Sequence, residues 1–220
     1  MHRTGTQEHA PETRGYTIHW ARWYDLLINV VLLGKERAWR ETTAEMAAIK
    51  PGDKVLDVGC GTGSLTLAAQ ARAGASGEVY GIDAAPEMVE VARSKAARSG
   101  ANVDFRIGLV EQIPFPDGFF DVVLSSLMIH HLPDDLKRRA FVEMRRVLKP
   151  GAHVFAVDFE PPTSPLVRHL LTHSHSRGMM RVDVHEYVPM MEEAGFEQVE
   201  AGKTKLRYIS FVRGSKSLTP

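Results

Sequence analysis

The sequence predicts an α/β fold, in which helices cover both faces of a doubly wound, mostly parallel sheet of seven strands. Short apolar runs alternate along the chain with longer segments whose apolar residues recur at helical spacing. Glycine and proline residues separate the two kinds of segment. This alternation is typical of parallel strands joined by crossover helices. The last two runs, residues 196–203 and 205–213, are nearly continuous and predict a closing antiparallel hairpin.

The length of 220 residues suits one α/β domain with a sizeable core. We expect a flexible polar arm at residues 1–19, a single domain at residues 20–214 and a tail at residues 215–220. Within the domain, residues 20–50 are predicted to be helical and form either a lid or helices that simply pack on the core. Residues 160–191 depart from the α/β alternation and are predicted to be an insertion.

The composition excludes several classes of protein. Lys and Arg number 27 and Asp and Glu number 27, so no global basic field favours nucleic acid or an anionic membrane. The lone Cys60 excludes an internal disulfide framework and a multi-cysteine zinc site. The start of the chain lacks the apolar core of a secretory signal, and the longest apolar segment is too short and charged to span a bilayer. We therefore expect a cytoplasmic protein.

The first predicted strand, residues 55–58, leads into a loop with glycine at alternate positions: Gly59, Gly61 and Gly63. A glycine has no Cβ, so this backbone can turn sharply and approach a ligand closely. A helix is predicted from Ser64, and its free N–H groups face the loop, which suits a polar or anionic ligand group. The alternative is a glycine turn that only permits tight packing.

The second predicted strand, Glu78–Asp83, ends on a carboxylate about twenty residues past the last loop glycine. That is the distance at which a nucleotide-binding α/β unit places an acid on the ribose hydroxyls. The loop has the spacing GxGxG and not the GxGxxG of a dinucleotide site. Pro86 suits the first turn of the next helix, which is predicted to run to Ser99 and end at Gly100.

The remaining elements complete the alternation. Further strands are predicted at residues 103–107, 120–125 and 152–158, and further helices at residues 36–49, 134–148 and 184–194. Because the carboxyl ends of parallel strands meet at one edge of the sheet, the glycine loop should share one crevice with residues that follow several strands. These residues are Asp57, Asp83, Leu109 and Ser125.

These motifs resemble the class I methyltransferases that depend on S-adenosyl-L-methionine (SAM). DVGCGTG at residues 57–63 matches the first motif of that family, and GID at residues 81–83 followed by PEM at residues 86–88 matches the second. The residues of these motifs are most similar to those of the methyltransferase type 11 branch, which includes the ubiquinone and menaquinone C-methyltransferases. The resemblance covers roughly residues 24–213. It implies a Rossmann-like methyltransferase fold and methyl transfer to a small molecule by in-line displacement, with S-adenosyl-L-homocysteine as the product.

The resemblance also implies a set of cofactor-binding residues. The glycine backbone would lie along the methionine and ribose, Asp83 would take the ribose hydroxyls, and Asp57 would balance the ammonium group of SAM. Apolar side chains would face the adenine, and a Tyr-Asp pair in the N-terminal helix would lie near the cofactor. The implied residues are Tyr24, Asp57, Gly59, Cys60, Gly61, Gly63, Asp83, Ala84, Met88, Gly108, Leu109, Val110 and Ser125.

One position departs from the family pattern. The family usually has Gly-Asp-Ala after the third strand, and its Asp accepts a hydrogen bond from the adenine amino group. This chain has Gly108-Leu109-Val110, and Leu109 cannot accept that bond. Adenine recognition then falls to backbone groups or to a neighbour such as Glu111, or the adenine edge is left to water and SAM binds more weakly.

Two histidines, His130 and His131, follow the fourth strand, where the resemblance places the approach of the acceptor. Methyl transfer from a sulfonium mainly requires alignment of nucleophile, methyl group and sulfur. An acceptor that must lose a proton also needs a base, and either histidine can serve near neutral pH. The alternative is that they cap or pack the loop.

The acceptor itself is suggested by residues 165–191, which are rich in Arg, His and Met. We hypothesise that they cover a pocket for an aromatic or partly anionic small molecule. His169, His173 and His175 lie in this segment, but no carboxylate or cysteine follows at matching spacing, so no metal site is expected.

Two other functions remain open from the sequence. An NAD-dependent oxidoreductase is one, although the GxGxG spacing and the lack of a placed Tyr/Lys pair or zinc set oppose it. A non-catalytic SAM-binding protein, or one that uses SAM to shape another reaction, is the second, and Leu109 favours it. The methylated atom and the oligomeric state are not indicated by the sequence.

Overall fold

The computed structural model describes residues 13–15, 35–160, 183–206 and 209–219 of the chain. The strands are β1 (Lys54–Val58), β2 (Glu78–Asp83), β3 (Val103–Ile107), β4 (Phe120–Ser126), β5 (Leu148–Phe159), β6 (Glu197–Lys203) and β7 (Ile209–Ser215). The α-helices are α1 (Glu36–Met46), α2 (Ser64–Ala73), α3 (Pro86–Ser99), α4 (Asp134–Val147) and α5 (Tyr187–Glu193). Two 3₁₀ turns lie at Ile129–His131 and Val184–Glu186.

The seven strands form one sheet in the order β3-β2-β1-β4-β5-β7-β6. All neighbouring pairs from β3 to β5 are parallel, and β7 runs antiparallel to both β5 and β6. The predicted doubly wound, mostly parallel sheet with a closing hairpin is therefore confirmed. Val58 pairs with Ile82 of β2 and with Ser125 of β4, so the carboxyl ends of the three central strands lie side by side at one edge.

The central strand is buried on both faces because successive side chains point to opposite sides of the sheet. Val55 packs with Leu65 and Ala69 of α2 and with residues of α1. Leu56 and Val58 pack on the other face with residues of α4 and α5. Each of these apolar side chains is fully buried, and such burial stabilises the fold by about 1.5–3 kcal/mol per large aliphatic side chain.

Most predicted elements match the structure, and a few boundaries differ for identifiable reasons. The helix predicted at residues 36–49 ends at Met46, since Ala48 has a φ of 54° and leaves the helical region. Strand β5 begins at Leu148 and not at residue 152, because Leu148 pairs with Phe120 before a bulge in the register. The helix predicted at residues 184–194 begins with a 3₁₀ turn, and only Tyr187–Glu193 is α-helical.

Some predictions lie outside the described residues. These include the N-terminal helix that contains Tyr24 and the segment with His169, His173 and His175. The limits proposed for the arm, lid, insertion and tail stay predictions. Within the described ranges, every helix is too short or too polar to cross a lipid bilayer.

Candidate active site

The glycine loop after β1 is held against the end of β2. The amides of Gly59 and Cys60 both donate hydrogen bonds to the Ile82 carbonyl, at 2.8 and 2.9 Å. Gly59 has a φ of 68°, and a Cβ built on it would lie 2.2 Å from Cγ of Met128. Only glycine is therefore compatible with this backbone and this approach of the loop that follows β4.

Asp83, at the end of β2, connects the two motifs that the sequence singled out. Its Oδ2 accepts a hydrogen bond of 2.8 Å from the Gly61 amide, and its Oδ1 accepts one of 2.9 Å from the Ala85 amide. Burial raises the pKa of Asp83, while these backbone N–H groups oppose the rise. A carboxylate has about four acceptor positions, so capacity remains for ligand hydroxyl groups.

A cavity of about 90 Å³ lies at this edge of the sheet. Nine of the residues predicted from the sequence line it. They are Gly59, Gly61, Asp83, Ala84, Met88, Gly108, Leu109, Val110 and His131. The other predicted residues within the described ranges, Asp57, Cys60, Gly63, Ser125 and His130, lie outside its lining.

Asp57 lies beneath the glycine loop. Its side chain is 1% exposed, and Oδ2 accepts a hydrogen bond of 2.6 Å from Thr66 Oγ1 on α2. Its Oδ1 has no hydrogen-bond partner among the described residues. Burial raises the pKa of Asp57 to about 6, although the Thr66 hydroxyl and the charge of Arg40 both lower it. An ionised Asp57 thus lacks a full set of partners and can accept a hydrogen bond from a cationic donor.

Cys60 packs in the hydrophobic core. Its side chain is buried beside Val89 and Ala92 of α3 and beside Phe105 of β3. Burial, followed by the charges of Asp83 and Asp57, raises the pKa of the thiol well above its usual value. The thiol therefore stays protonated and is a poor nucleophile.

The end of β4 and the loop after it contribute wall residues that were not predicted from the sequence. Ser126, Leu127 and Met128 all line the cavity. Leu127 has a φ of 53°, a strained conformation for a non-glycine residue that is often found at functional sites. Arg40 of α1, which is 7% exposed, donates a hydrogen bond of 2.8 Å to Ser126 Oγ. No sequence pattern indicates a positive φ at a leucine or a contact across 86 positions.

A short segment near the start of the chain, residues 13–15, lies at one side of the cavity. Thr13 and Gly15 line it, and Thr13 Oγ1 donates a hydrogen bond of 2.7 Å to Oε1 of Glu111. Arg14 forms an ion pair with Asp135 at the start of α4. The position of this short segment over the cavity was not predicted, because the polar sequence around it has no periodicity.

Asp158, near the end of β5, organises a buried hydrogen-bond network. It accepts hydrogen bonds from His130 Nδ1 at 2.7 Å, the His130 amide at 3.1 Å and the Tyr187 hydroxyl at 3.1 Å. A fourth comes from the Phe159 amide at 2.8 Å. The side chains of Asp158 and His130 are each 2% exposed. Because a carboxylate only accepts, Nδ1 of His130 carries the proton of this hydrogen bond.

His131 forms part of the cavity wall, and its ring centroid lies 3.9 Å from that of His130. Burial lowers the pKa of His131 to about 4; the adjacent His130 contributes to this shift, and the charge of Asp158 opposes it. His131 is therefore neutral at physiological pH. The two predicted histidines thus occupy different environments, one in the cavity wall and the other behind it.

Comparisons with known proteins agree with this architecture. Residues 55–151 match the family described as a methyltransferase domain. The chain is 38% identical over 143 residues to the ubiquinone/menaquinone biosynthesis C-methyltransferase UbiE of Burkholderia mallei. That match covers 65% of this chain and 58% of the relative, so the chain spans little more than half the length of the curated relatives it matches.

Solved structures share the fold. A SAM-dependent methyltransferase from Aquifex aeolicus superposes with a TM-score of 0.66 at 25% identity, covering 80% of this chain and 88% of that chain. The [4+2]-cyclase SpnF superposes with a TM-score of 0.68 at 19% identity, covering 83% of this chain and 81% of that chain. The second likeness concerns the fold alone. Together with the match of residues 55–151 to the methyltransferase domain family, the sheet order and the glycine loop, these findings show that the chain has the fold of the SAM-dependent methyltransferases.

Proposed function

We propose that the protein is a SAM-dependent methyltransferase that methylates a small molecule by in-line displacement and releases S-adenosyl-L-homocysteine. The observation that carries this proposal is the hydrogen bond between Asp83 and the Gly61 amide at the cavity. This hydrogen bond connects Asp83, which is expected to bind the ribose hydroxyls, to the glycine loop, which is expected to lie along the methionine and ribose of SAM. The 38% identity to a C-methyltransferase supports the same activity.

The residues around the cavity suit the parts of SAM. In this proposal the free acceptor positions of Asp83 take the ribose hydroxyls, and Ala84, Met88 and Val110 contact the adenine. In this proposal Oδ1 of Asp57, which has no hydrogen-bond partner among the described residues, accepts a hydrogen bond from the ammonium group of SAM. The position of the carboxylate beneath the glycine loop is consistent with this role. The proposed contact of Tyr24 concerns a residue outside the described ranges and stays a prediction.

Adenine recognition is proposed to fall to Glu111. Leu109 lines the cavity but cannot accept a hydrogen bond from an amino group, whereas the nearby Glu111 carboxylate also lines it. Pockets for ligands of this size usually enclose about 300–1,000 Å³. The observed 90 Å³ is smaller, so seating SAM requires wall residues such as Thr13 to move. Such movement breaks the hydrogen bond from Thr13 and frees Glu111 for the adenine amino group.

The reaction needs little chemistry from the protein beyond positioning. SAM, when bound, supplies a methyl group on a positively charged sulfur that is already an activated leaving group. The chain's part is to hold the sulfonium and the acceptor in line and to exclude water, and orientation of this kind contributes several kcal/mol of barrier lowering. The proposed aromatic or partly anionic nature of the acceptor rests on residues 165–191, most of which lie outside the described ranges.

Calorimetry with SAM, S-adenosyl-L-homocysteine and NAD tests the cofactor. We expect both sulfur nucleosides to bind and NAD to show no heat of binding. A measurable NAD affinity without SAM binding would favour the oxidoreductase alternative instead.

The second alternative, SAM binding without methyl transfer, is raised by the shared fold of a protein named as a cyclase. It is tested by incubating the protein with SAM and a panel of phenols, quinols, amines and thiols. Formation of S-adenosyl-L-homocysteine that depends on one of these acceptors supports the proposal. Tight SAM binding with no acceptor-dependent product across the panel would contradict methyl transfer.

A further inference from the structure

One nitrogen of the Asp158 network has no evident structural purpose. His130 donates its Nδ1 proton to Asp158, so in the neutral imidazole Nε2 carries the lone pair. This Nε2 is buried and has no hydrogen-bond partner among the described residues. Buried acceptors without partners are rare and costly in native proteins, and they often mark a place that a ligand completes.

The position of this nitrogen relates it to the proposed methyl-transfer site. His130 contacts His131, which lines the cavity, and its ring also packs edge-on against Phe159. Both histidines follow β4, beside the glycine loop after β1. His130 thus lies directly behind one wall residue of the cavity.

We propose that His130 is the proton acceptor of the reaction, that Asp158 and Tyr187 are positioning residues for it, and that the methyl acceptor is therefore a hydroxyl or an acidic C–H group. This inference rests on the proposed function. A thiol is partly ionised near neutral pH, and an uncharged amine attacks through its lone pair before it loses a proton, whereas a hydroxyl or carbon acid has to lose its proton as it attacks.

The step balances without any further reactant. The O–H or C–H bond of the acceptor breaks, and its proton forms an N–H bond at Nε2 of His130. The electron pair of the acceptor attacks the methyl carbon, and the pair of the broken C–S bond goes to sulfur. The products are the methylated acceptor, neutral S-adenosyl-L-homocysteine and an imidazolium, which Asp158 stabilises by its charge until the proton leaves to water.

Tyr187 has the protonation state that this role requires. Tyr187 is fully buried, and burial together with the charge and hydrogen bond of Asp158 raises its pKa. Its hydroxyl therefore stays protonated and donates to the carboxylate. In the described part of the chain, the titratable groups of this network are Asp158 from β5, which accepts from His130, Tyr187 from α5, which donates to Asp158, and His131, whose ring lies beside that of His130. Asp134 and Glu186 also act on Tyr187 electrostatically.

Nitrogen NMR of histidine-labelled protein tests the arrangement without any acceptor. The expected spectrum assigns the proton of neutral His130 to Nδ1, and Asp158→Asn should weaken that preference. A proton found on Nε2 in the unsubstituted protein would overturn the inference.

Turnover tests the role. With any hydroxyl or carbon acid that the panel shows to be methylated, His130→Gln should lower kcat by 10²-fold or more, as loss of a general base typically does, with SAM affinity retained. His131→Gln is the matched neighbour and should change KM more than kcat. Asp158→Asn should lower kcat and move the acidic limb of the pH–rate profile to lower pH, because the imidazolium loses its counter-charge. Tyr187→Phe should give a smaller loss in the same direction.

A phenol assayed above its own pKa gives the rescue, since it is already ionised and should make the His130→Gln defect small. Methylation of amines or thiols alone, or a kcat of His130→Gln within about threefold of the unsubstituted protein, would overturn this inference and leave SAM-dependent methyl transfer standing. Failure of every variant and of the unsubstituted protein to bind SAM would instead overturn the proposed function.

Discussion

The Gly61 amide donates a hydrogen bond of 2.8 Å to Oδ2 of Asp83, although the two residues lie 22 positions apart in the chain. The acid at the end of β2 thus holds the loop after β1 in the conformation that faces the cavity. A second bond, from the Ala85 amide to Oδ1, fixes the orientation of the same carboxylate. The conformation of the glycine loop and the position of the Asp83 carboxylate are therefore coupled. We expect a change in either to lower the affinity for the cofactor.

Replacing Gly59 by alanine should both strain and crowd the loop. Its φ of 68° is costly for alanine, and the new Cβ would meet Cγ of Met128 at 2.2 Å. Gly118 is the matched control, because its φ is 64° but a Cβ there meets nothing within 4 Å. We expect Gly118→Ala to cost about 1–2 kcal/mol of unfolding free energy with SAM affinity kept. Gly59→Ala should cost more and weaken SAM binding. Equal losses in urea unfolding would contradict the close approach.

The stability of the unliganded protein should depend on Asp57 in a defined pH window. The pKa of Asp57 rises from an ordinary 3.8 to about 6 on folding, so the folded state holds a proton that the unfolded state has lost between these values. This contribution therefore declines as pH rises from about 4 to about 6, by about 3 kcal/mol in all.

Asp57→Asn removes that term while its amide oxygen can still accept from Thr66. The difference in unfolding free energy between the variant and the unsubstituted protein should move in favour of the variant from pH 4 to pH 6 and then stay constant. This difference cancels His131, whose lowered pKa acts with the opposite sign over nearly the same range. The variant should also bind SAM more weakly. A difference independent of pH would show that Asp57 is not destabilised in the folded state.

Glu111→Leu should weaken binding of S-adenosyl-L-homocysteine by about tenfold, the loss expected for a hydrogen bond to a charged group. S-inosyl-L-homocysteine, which lacks the adenine amino group, is the matched ligand and should bind the variant and the unsubstituted protein alike. Leu109→Asp, which restores the acid usual in the family, should tighten binding of the adenosyl compound. Parallel losses for both ligands in Glu111→Leu would assign Glu111 a structural role instead.

The sequence predicted those elements whose ends are marked by residues within the element itself or next to it. Pro86 at the start and Gly100 after the end set the bounds of α3, and the alternating glycines with the acid at residue 83 indicated the loop and its position. The early start of β5 at Leu148 was not predicted, because it depends on the pairing of Leu148 with Phe120 on β4 and on the bulge that follows. No single segment of the sequence encodes that pairing.

The candidate site was likewise predicted only in part from the sequence. Asp83 and His131 could be placed at the cavity edge because parallel strands bring their carboxyl ends together. Asp158 and Tyr187 could not, since Asp158 contacts His130 across 28 positions and Tyr187 contacts Asp158 across 29, through tertiary packing between β5, α5 and the turn after β4. The resemblance likewise gave no reason to single out Arg40, whose contact with Ser126 depends on how α1 packs on the sheet.

The affinity of Asp83→Ala for SAM, measured by calorimetry beside that of the unsubstituted protein, tests the central claim most directly. Asp83→Asn, which keeps one oxygen as an acceptor for a backbone amide, separates loss of the ribose contact from collapse of the loop. We predict that the unsubstituted protein binds SAM, that Asp83→Asn binds at least tenfold more weakly, and that Asp83→Ala binds more weakly still while remaining folded in urea titrations. Unchanged affinity in Asp83→Ala, or no SAM binding by the unsubstituted protein at millimolar concentration, would contradict it.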